Sequence, residues 1–367
     1  MEIKFLYIFI VLLMFIFLNN NEVPIAQSNE RAPIDSTFQD ELTIGVNHVS
    51  NNRYEEALAL FDSLQQVFPY HPAPNFFIAF TYQSWMLTYR FNEFQNDFYV
   101  NTKLALDKGT RLLEKNNDPW LNFYVGAAYG YKALHRFRQH NWIGAYIDGR
   151  KGINNLNTAL EKLPNLYDCY YGLGNYNFWS TEKSKFIRIL VFWMEDKRKR
   201  GLDQLQLSID RGRYCPYEAT HGLIIAYYYY GDYDKALALN NIAMELNDNP
   251  SLETLYMRGR LMARFEKWSE VQTIFQKILE QLVVHPYQSI GYQVECKYWI
   301  AEALKSQNQP YEAYELTVHA LAQSKNWSKD KEIDNPLEGF DIIKKHLEKL
   351  HDKLEKEIAK ENSINMQ

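Results

Sequence analysis

Cysteine is scarce: Cys169, Cys215 and Cys296 are all that 367 residues contain, and an odd number cannot close a complete disulfide framework. Each falls in or beside an expected helix start, which favours buried free thiols; one disulfide plus one free thiol is the alternative in an oxidising compartment. A basic excess is missing as well, and a formal charge of −5 with a pI near 6.0 argues against a dedicated nucleic-acid binder. Metal-ligand spacing is missing: His135 and His140 are five apart, as are His346 and His351, a step that splays two side chains on a helix. There is no Gly-x-Ser-x-Gly elbow, phosphate-binding loop with lysine, or zinc-protease helix. Gly172-Leu-Gly174 begins a dinucleotide fingerprint, but Asn177 stands where the third glycine belongs and no strand precedes it, so close helix packing explains it better. Paired carboxylates such as Glu55 and Glu56 complement a helix start. Catalysis therefore has no visible carrier, and neither a cofactor nor a small-molecule substrate is expected.

The apolar run at residues 5–18 is uncharged, sits behind Lys4 and turns polar at Asn19; its fourteen residues suit a signal h-region better than a membrane span. Cleavage after Ala26 is expected, with Pro24 a poor fit to the preferred small residue, and an uncleaved anchor is the alternative. No cysteine lies near the end of the run, so a bacterial lipid-anchor signal is not expected. Residues 1–26 are thus read as signal peptide or anchor, 27–37 as linker, and the protein as exported, periplasmic or secreted.

What the chain has in plenty is rings, 15% of residues with 27 tyrosines, and a recurring ladder. Counting from Gly45, Tyr54, Ala57, Phe61 and Pro69 stand at offsets of nine, twelve, sixteen and twenty-four, and much of this returns as Gly259, Trp268 and Phe275. Closely crossing helices need a small residue in the first and a small then a large apolar residue one turn apart in the second. First-helix markers follow at Gly45, Ala79, Gly126, Gly174, Ile224, Gly259 and Ala301; second-helix markers at Ala57, Ala105, Gly152, Gly201, Ala236, Val271 and Ala313. Residues 38–330 are therefore expected to form seven helix pairs in an all-α solenoid, one elongated body in which each pair contacts its neighbours.

The first-to-second interval is 12 in pairs one, five, six and seven but 26, 26 and 27 in pairs two, three and four. Splitting the surplus equally gives each helix about seven further residues, roughly 10 Å of rise, and places the lengthened tips on one edge as a flange. Its rings are Trp85, Tyr89, Phe91, Phe94 and Phe98; Tyr131, Phe137, Trp142 and Tyr146; Phe178, Trp179, Phe186, Phe192 and Trp193. Either adjacent hairpins consume them as core, or they dock a partner or membrane. Lys197-Arg198-Lys199-Arg200, trailing the apolar stretch 187–194, is a solvated run or, with Phe192 and Trp193, a lipid contact that Glu195 and Asp196 weaken. Beyond Asn335-Pro336, the steps Phe340, Ile343, Leu347, Leu350 and Leu354 predict an amphipathic capping helix over 336–362, a coiled-coil seam being the weaker alternative.

These spacings resemble the tetratricopeptide repeat (TPR). The segment Trp142-x-x-Ala145-x-x-x-Gly149-x-x-Gly152, with Tyr167-Asp168-x-Tyr170-x-Gly172-x-Gly174-x-Tyr176, Asp196 and Gly201-Leu202-x-x-Leu205, is similar to bacterial exported proteins with irregular repeats of this kind; Gly174 to Leu205 also resembles, faintly, the tetratricopeptide-repeat-39 proteins. The resemblance implies a TPR-like superhelix and non-catalytic binding along the concave face of the first helices. At the corresponding positions stand Phe76, Phe80, Trp120, Phe123, Asp168, Tyr171, Asn175, His221, Tyr228, Tyr256 and Arg260. Rings with a few polar groups suit an extended peptide or helix, with Arg260 and Asp168 setting its orientation, and equally suit a groove filled by the chain's own C-terminal helix. The expected function is an envelope scaffold binding a protein partner; the alternative is a membrane-peripheral protein contacting lipid through residues 186–200.

Overall fold

A computed structural model describes residues 36–183, 195–246, 250–335 and 337–365, all within a unit that begins at Ile34. Residues 1–35, which hold the expected signal or anchor and most of the expected linker, together with Phe186, Phe192, Trp193 and the stretch 187–194, lie outside the described residues.

Fifteen helices are present among the described residues, and no strand. They are α1 (Ser36–Ser50), α2 (Tyr54–Val67), α3 (Pro72–Tyr89), α4 (Gln95–Leu113), α5 (Pro119–Arg138), α6 (Trp142–Lys162), α7 (Cys169–Lys183), α8 (Arg198–Arg211), α9 (Pro216–Tyr230), α10 (Tyr233–Glu245), α11 (Leu252–Arg264), α12 (Trp268–Val284), α13 (Ile290–Ser306), α14 (Pro310–Ser324) and α15 (Phe340–Asn365). Each helix packs on the next, so α1 to α14 form seven antiparallel pairs. Proline opens α3, α5, α9 and α14, where its missing N–H costs nothing. Asp118, Asn141, Ser251 and Ser289 each accept a backbone N–H from the first turn of the helix they precede. Within the hairpins the chain reverses through one left-handed residue: Asn52, Arg90, His140, Gly231, Glu266 and Asn308 serve pairs one, two, three, five, six and seven.

The crossings fall at the expected markers. A Cβ on Gly126 would meet the Gly152 carbonyl oxygen at 3.1 Å, and one on Gly201 would meet the Gly174 carbonyl oxygen at 2.7 Å. Gly45 and Gly259 instead receive the rings of Phe61 and Phe275. In pair three the surplus splits evenly. Arg138 lies twelve residues beyond Gly126, against five from Gly45 to Ser50, and Gly152 lies ten beyond Trp142, against three from Tyr54 to Ala57. Pair two gives five residues to α3, seven to α4 and two to a longer turn.

The flange has two fates. Phe91 and Phe98 at the pair-two tip are fully buried, and Trp85, Tyr89 and Phe94 pack around them. Their cover comes from two sides: the adjacent hairpin supplies Tyr131 and His135, whose ring lies 4.8 Å from Phe98, and His285, Tyr287 and Ile333 come from far along the chain, Phe91 stacking on Tyr287 at 4.6 Å and Tyr89 on His285 at 3.7 Å. Phe91 also forms an isolated antiparallel bridge with Glu332. The lengthened second hairpin thus reaches pairs six and seven, a long-range closure beyond nearest-neighbour stacking. At the pair-three tip, Phe137, Trp142 and Ile147 stay exposed.

α15 caps the stack. Phe340, Ile343, Leu347, Leu350 and Leu354 are buried against Val294, Tyr298, Ala301, Ala313 and Ala320 of pair seven. The three cysteines are free thiols, Cys169 and Cys296 buried and Cys215 half-buried. None of the described helices is long and apolar enough to cross a membrane.

Candidate binding site on the first-helix face

Between α14 and α15 a strap of irregular chain, including residues 331–335, Leu337 and Glu338, lies against first helices of four pairs. Arg138 at the end of α5 donates to the Asp334 carbonyl at 3.2 Å, and Tyr229 of α9 donates its hydroxyl to the Leu337 carbonyl at 2.8 Å. Asn335 is gripped hardest. Its amide nitrogen donates to the Tyr256 hydroxyl at 2.6 Å and to the Glu295 carboxylate at 2.7 and 2.9 Å. Tyr256 donates its proton to Glu295 at 2.8 Å and accepts from Arg260 at 2.7 Å, so its one donor and both lone pairs are used. Arg260 closes the row on Glu338 at 3.2 Å.

The pair-two tip enters the same network. Arg90, left-handed at φ 59, points its guanidinium to Glu295 at 2.6 Å and over the Tyr292 ring at 3.4 Å. Burial alone pushes the Glu295 carboxyl upward; Arg90, Arg260 and the hydrogen bonds overcome it and hold the group below its ordinary value. Burial lowers Arg138 to about 10 despite Glu253 nearby.

Further along the first helices is a second set of groups. Tyr131, Tyr171, Cys215, Tyr217, Glu218 and Glu253 are all half-buried. Burial raises every one, and they act on one another: Glu218 raises Tyr131 and Tyr171, and Glu253 raises Tyr171, Tyr217 and Glu218 itself. Desolvation together with partial accessibility is what side chains facing each other across the inner side of wound repeats show. Glu218 reaches about 8, so it is a neutral acid at pH 7. Its Oε2 has no hydrogen-bond partner and no accessible area. Burial pushes the Cys215 and Cys169 thiols up, away from nucleophilic thiolates. Among the described residues no group of three His, Cys, Asp or Glu is placed to hold a metal ion.

The expected groove residues divide. Phe76, Phe80 and Phe123 are core: Phe76 and Phe80 meet Tyr131 at 5.9 and 5.5 Å, and Phe123 stacks on Tyr214 at 6.3 Å. Trp120 is half-buried against Tyr214. The Asp168 carboxylate accepts the backbone N–H groups of Arg213, Tyr214 and Cys215, so it ties one pair to the next instead of orienting a partner. His221, lowered to about 4 by burial, is a neutral ring 3.3 Å from the Thr254 hydroxyl. Asn175 donates to the Tyr171 carbonyl and accepts from the Trp179 indole. Tyr228 accepts from Arg264 and Arg260. Tyr256 and Arg260 hold the strap; the occupant at their end of the face is the segment before the C-terminal helix, rather than that helix.

Arg90, Arg138, Glu218, Glu253, Glu295 and Asn335 escaped the sequence reading. One signal was available: Asp168, Glu218, Glu253 and Glu295 all stand six residues before the crossing markers Gly174, Ile224, Gly259 and Ala301. An acid repeated at one repeat position builds a ladder down the inner face.

Consecutive helix pairs with small-residue crossings and a terminal cap define a TPR-like α-solenoid. No family model and no curated protein matches the sequence. Among solved structures, the chain is similar to the C-terminal part of a TPR repeat-containing protein from Cytophaga hutchinsonii, at 17% identity, covering 79% of this chain and 97% of that one, with a TM-score of 0.40. A thermophilic TPR protein of Thermus thermophilus gives 19%, 62% and 97%, with 0.37. Yeast Tom70 gives 12%, 89% and 90%, with 0.36. The likenesses are distant, and the fold stands on the helix pairing itself.

Proposed function

We propose that this chain is a non-catalytic, exported scaffold that binds an extended or helical segment of another protein along its first-helix face. One observation carries the reading: side chains from four repeats already hold a stretch of irregular chain on that face, through both its backbone carbonyls and its side chains. Trp120, Tyr171 and Asn175 are half-buried and continue the face beyond the strap. A photo-crosslinking residue at Tyr171 or Trp120, in the native host, tests this against a control at Val284, which is 79% exposed on α12. The same partner should be recovered from both inner positions and not from Val284. Recovery from all three alike, or from none, contradicts it.

A second reading, peripheral contact with lipid, rests on the exposed Trp142, Ile143 and Ile147 at the pair-three tip, with Ile143 61% exposed. Of the basic run, Arg198 is already paired with Glu182 and Asp196, which leaves Lys199 and Arg200 outermost. Flotation of the chain from residue 27 with anionic vesicles decides: a pure protein scaffold stays at the bottom of the gradient.

A further inference from the structure

We infer that the strap is a built-in occupant of the binding face, and that the partner is an acidic, asparagine-containing peptide that competes with it. The inference rests on the scaffold reading and specifies its ligand. In part the segment is held as any linker is: Asn335 and Asp334 accept the N–H groups of Leu337 and Phe340, and Ile333 and Leu337 pack on the apolar clusters. Its remaining polar groups are read by other repeats as a ligand's would be. Backbone carbonyls of Asp334 and Leu337 are taken by Arg138 and Tyr229. The amide of Asn335 meets the acceptors Glu295 and Tyr256. The carboxylate of Glu338 meets Arg260, and that of Asp334 faces His140 at 3.7 Å.

The receiving face therefore selects acid, then asparagine, then acid three residues on. Its arginines Arg138, Arg260 and Arg264 favour such a peptide over a basic one. Within the strap Asp334, Asn335, Leu337 and Glu338 are half-buried, whereas Glu332 and Ile333 are buried, so the part to be lifted is 334–338, with Ile333 left on the pair-two cluster. Because α14 and α15 tether it at both ends, its effective concentration is on the order of millimolar. A free peptide must overcome that tether, and its apparent affinity falls by the fraction of molecules whose strap is off.

The test uses the full chain and a fluorescent peptide of residues 328–339, with a scrambled peptide as control, read by anisotropy. Asn335→Ala with Glu338→Ala should free the face and tighten binding of the native peptide at least tenfold over the unaltered chain, while the scrambled peptide stays weak. Adding Tyr256→Phe to that background should loosen it again. The inference is overturned if the strap variant, folded by circular dichroism, binds no better than the unaltered chain, or binds both peptides alike. Should the variant fail to fold, hydrogen exchange on the unaltered chain decides. Millimolar peptide must speed exchange of the Leu337 amide, and an unchanged rate rejects displacement. Partner crosslinking at Tyr171 with no peptide effect removes this inference alone; loss of both removes the scaffold reading.

Discussion

Replacing Arg90 by methionine removes one charge from the closure between pair two and pair seven and leaves its partner behind. Glu295 is 2% exposed at its side chain and keeps Arg260 only at 3.7 Å, besides the Tyr256 and Asn335 hydrogen bonds. An enclosed ion pair broken from one side typically costs about 3–5 kcal/mol, because the remaining charge is stranded. The sign with pH follows from Glu295. With Arg90 present its folded pKa lies below the ordinary 4.5, so its contribution is full above that value and is lost as pH falls through the folded pKa. Without Arg90 burial dominates and the folded pKa rises, so the penalty is largest at pH 7 and shrinks as acid protonates the carboxyl. Urea unfolding at pH 7 and pH 5 reads both quantities. Arg90→Met should lose about 3 kcal/mol or more at neutral pH and clearly less at pH 5, and adding Glu295→Gln should recover much of the loss. A loss under about 1 kcal/mol, equal at the two pH values, would mean that the two hairpins do not meet and the closure is misread.

Glu218→Gln isolates the neutral acid on the inner wall. Its folded pKa of about 8 lies above 4.5, so the unaltered chain loses stability as pH rises from about 5 to 8 while the variant escapes that term; the two unfolding curves should coincide at pH 4.5 and diverge by a few kcal/mol at pH 8. Parallel curves would refute the shift. Gly201→Ala drives a Cβ into backbone of α7 at 2.7 Å and should lower the melting temperature strongly, whereas Gly130→Ala, with nothing within 4 Å, should be neutral or stabilise by up to about 1 kcal/mol. Leu347→Ala, in the fully buried cap face, should cost about 2–5 kcal/mol in urea unfolding; a loss near zero would detach α15 from pair seven.

The pairing was legible because its cause is local. A glycine or alanine where backbones cross, a proline at a helix start and a run of apolar residues at helical spacing are fixed by neighbours within one repeat. The lengthened arms were legible for the same reason, as an interval in the sequence. What the arms touch was not. Arg90 and Glu295 are 205 residues apart and join through the winding of the whole stack, which no local spacing encodes. The rings of the pair-two tip could be expected to need cover, and the share supplied by Tyr131 and His135 of the next hairpin is local, yet the share supplied by Tyr287 and Ile333 depends on that same winding. Asp168 illustrates a different limit. An acid at an inner-face position reads identically whether it meets a partner or the N–H groups of residues 213–215, and only the loop geometry separates the two.

The closure of the second hairpin on the strap is tested most directly by a disulfide. Asn92 donates its backbone N–H to the Lys331 carbonyl at 3.0 Å, next to the Phe91–Glu332 bridge, which places the two backbones at cross-linking distance. With the three native cysteines replaced by alanine, Asn92→Cys and Lys331→Cys together should form an intramolecular bond rapidly under mild oxidation, seen as a mobility shift that reductant reverses, while Asn92→Cys with Val284→Cys should not. Failure of the first pair to join in folded protein would contradict the closed superhelix.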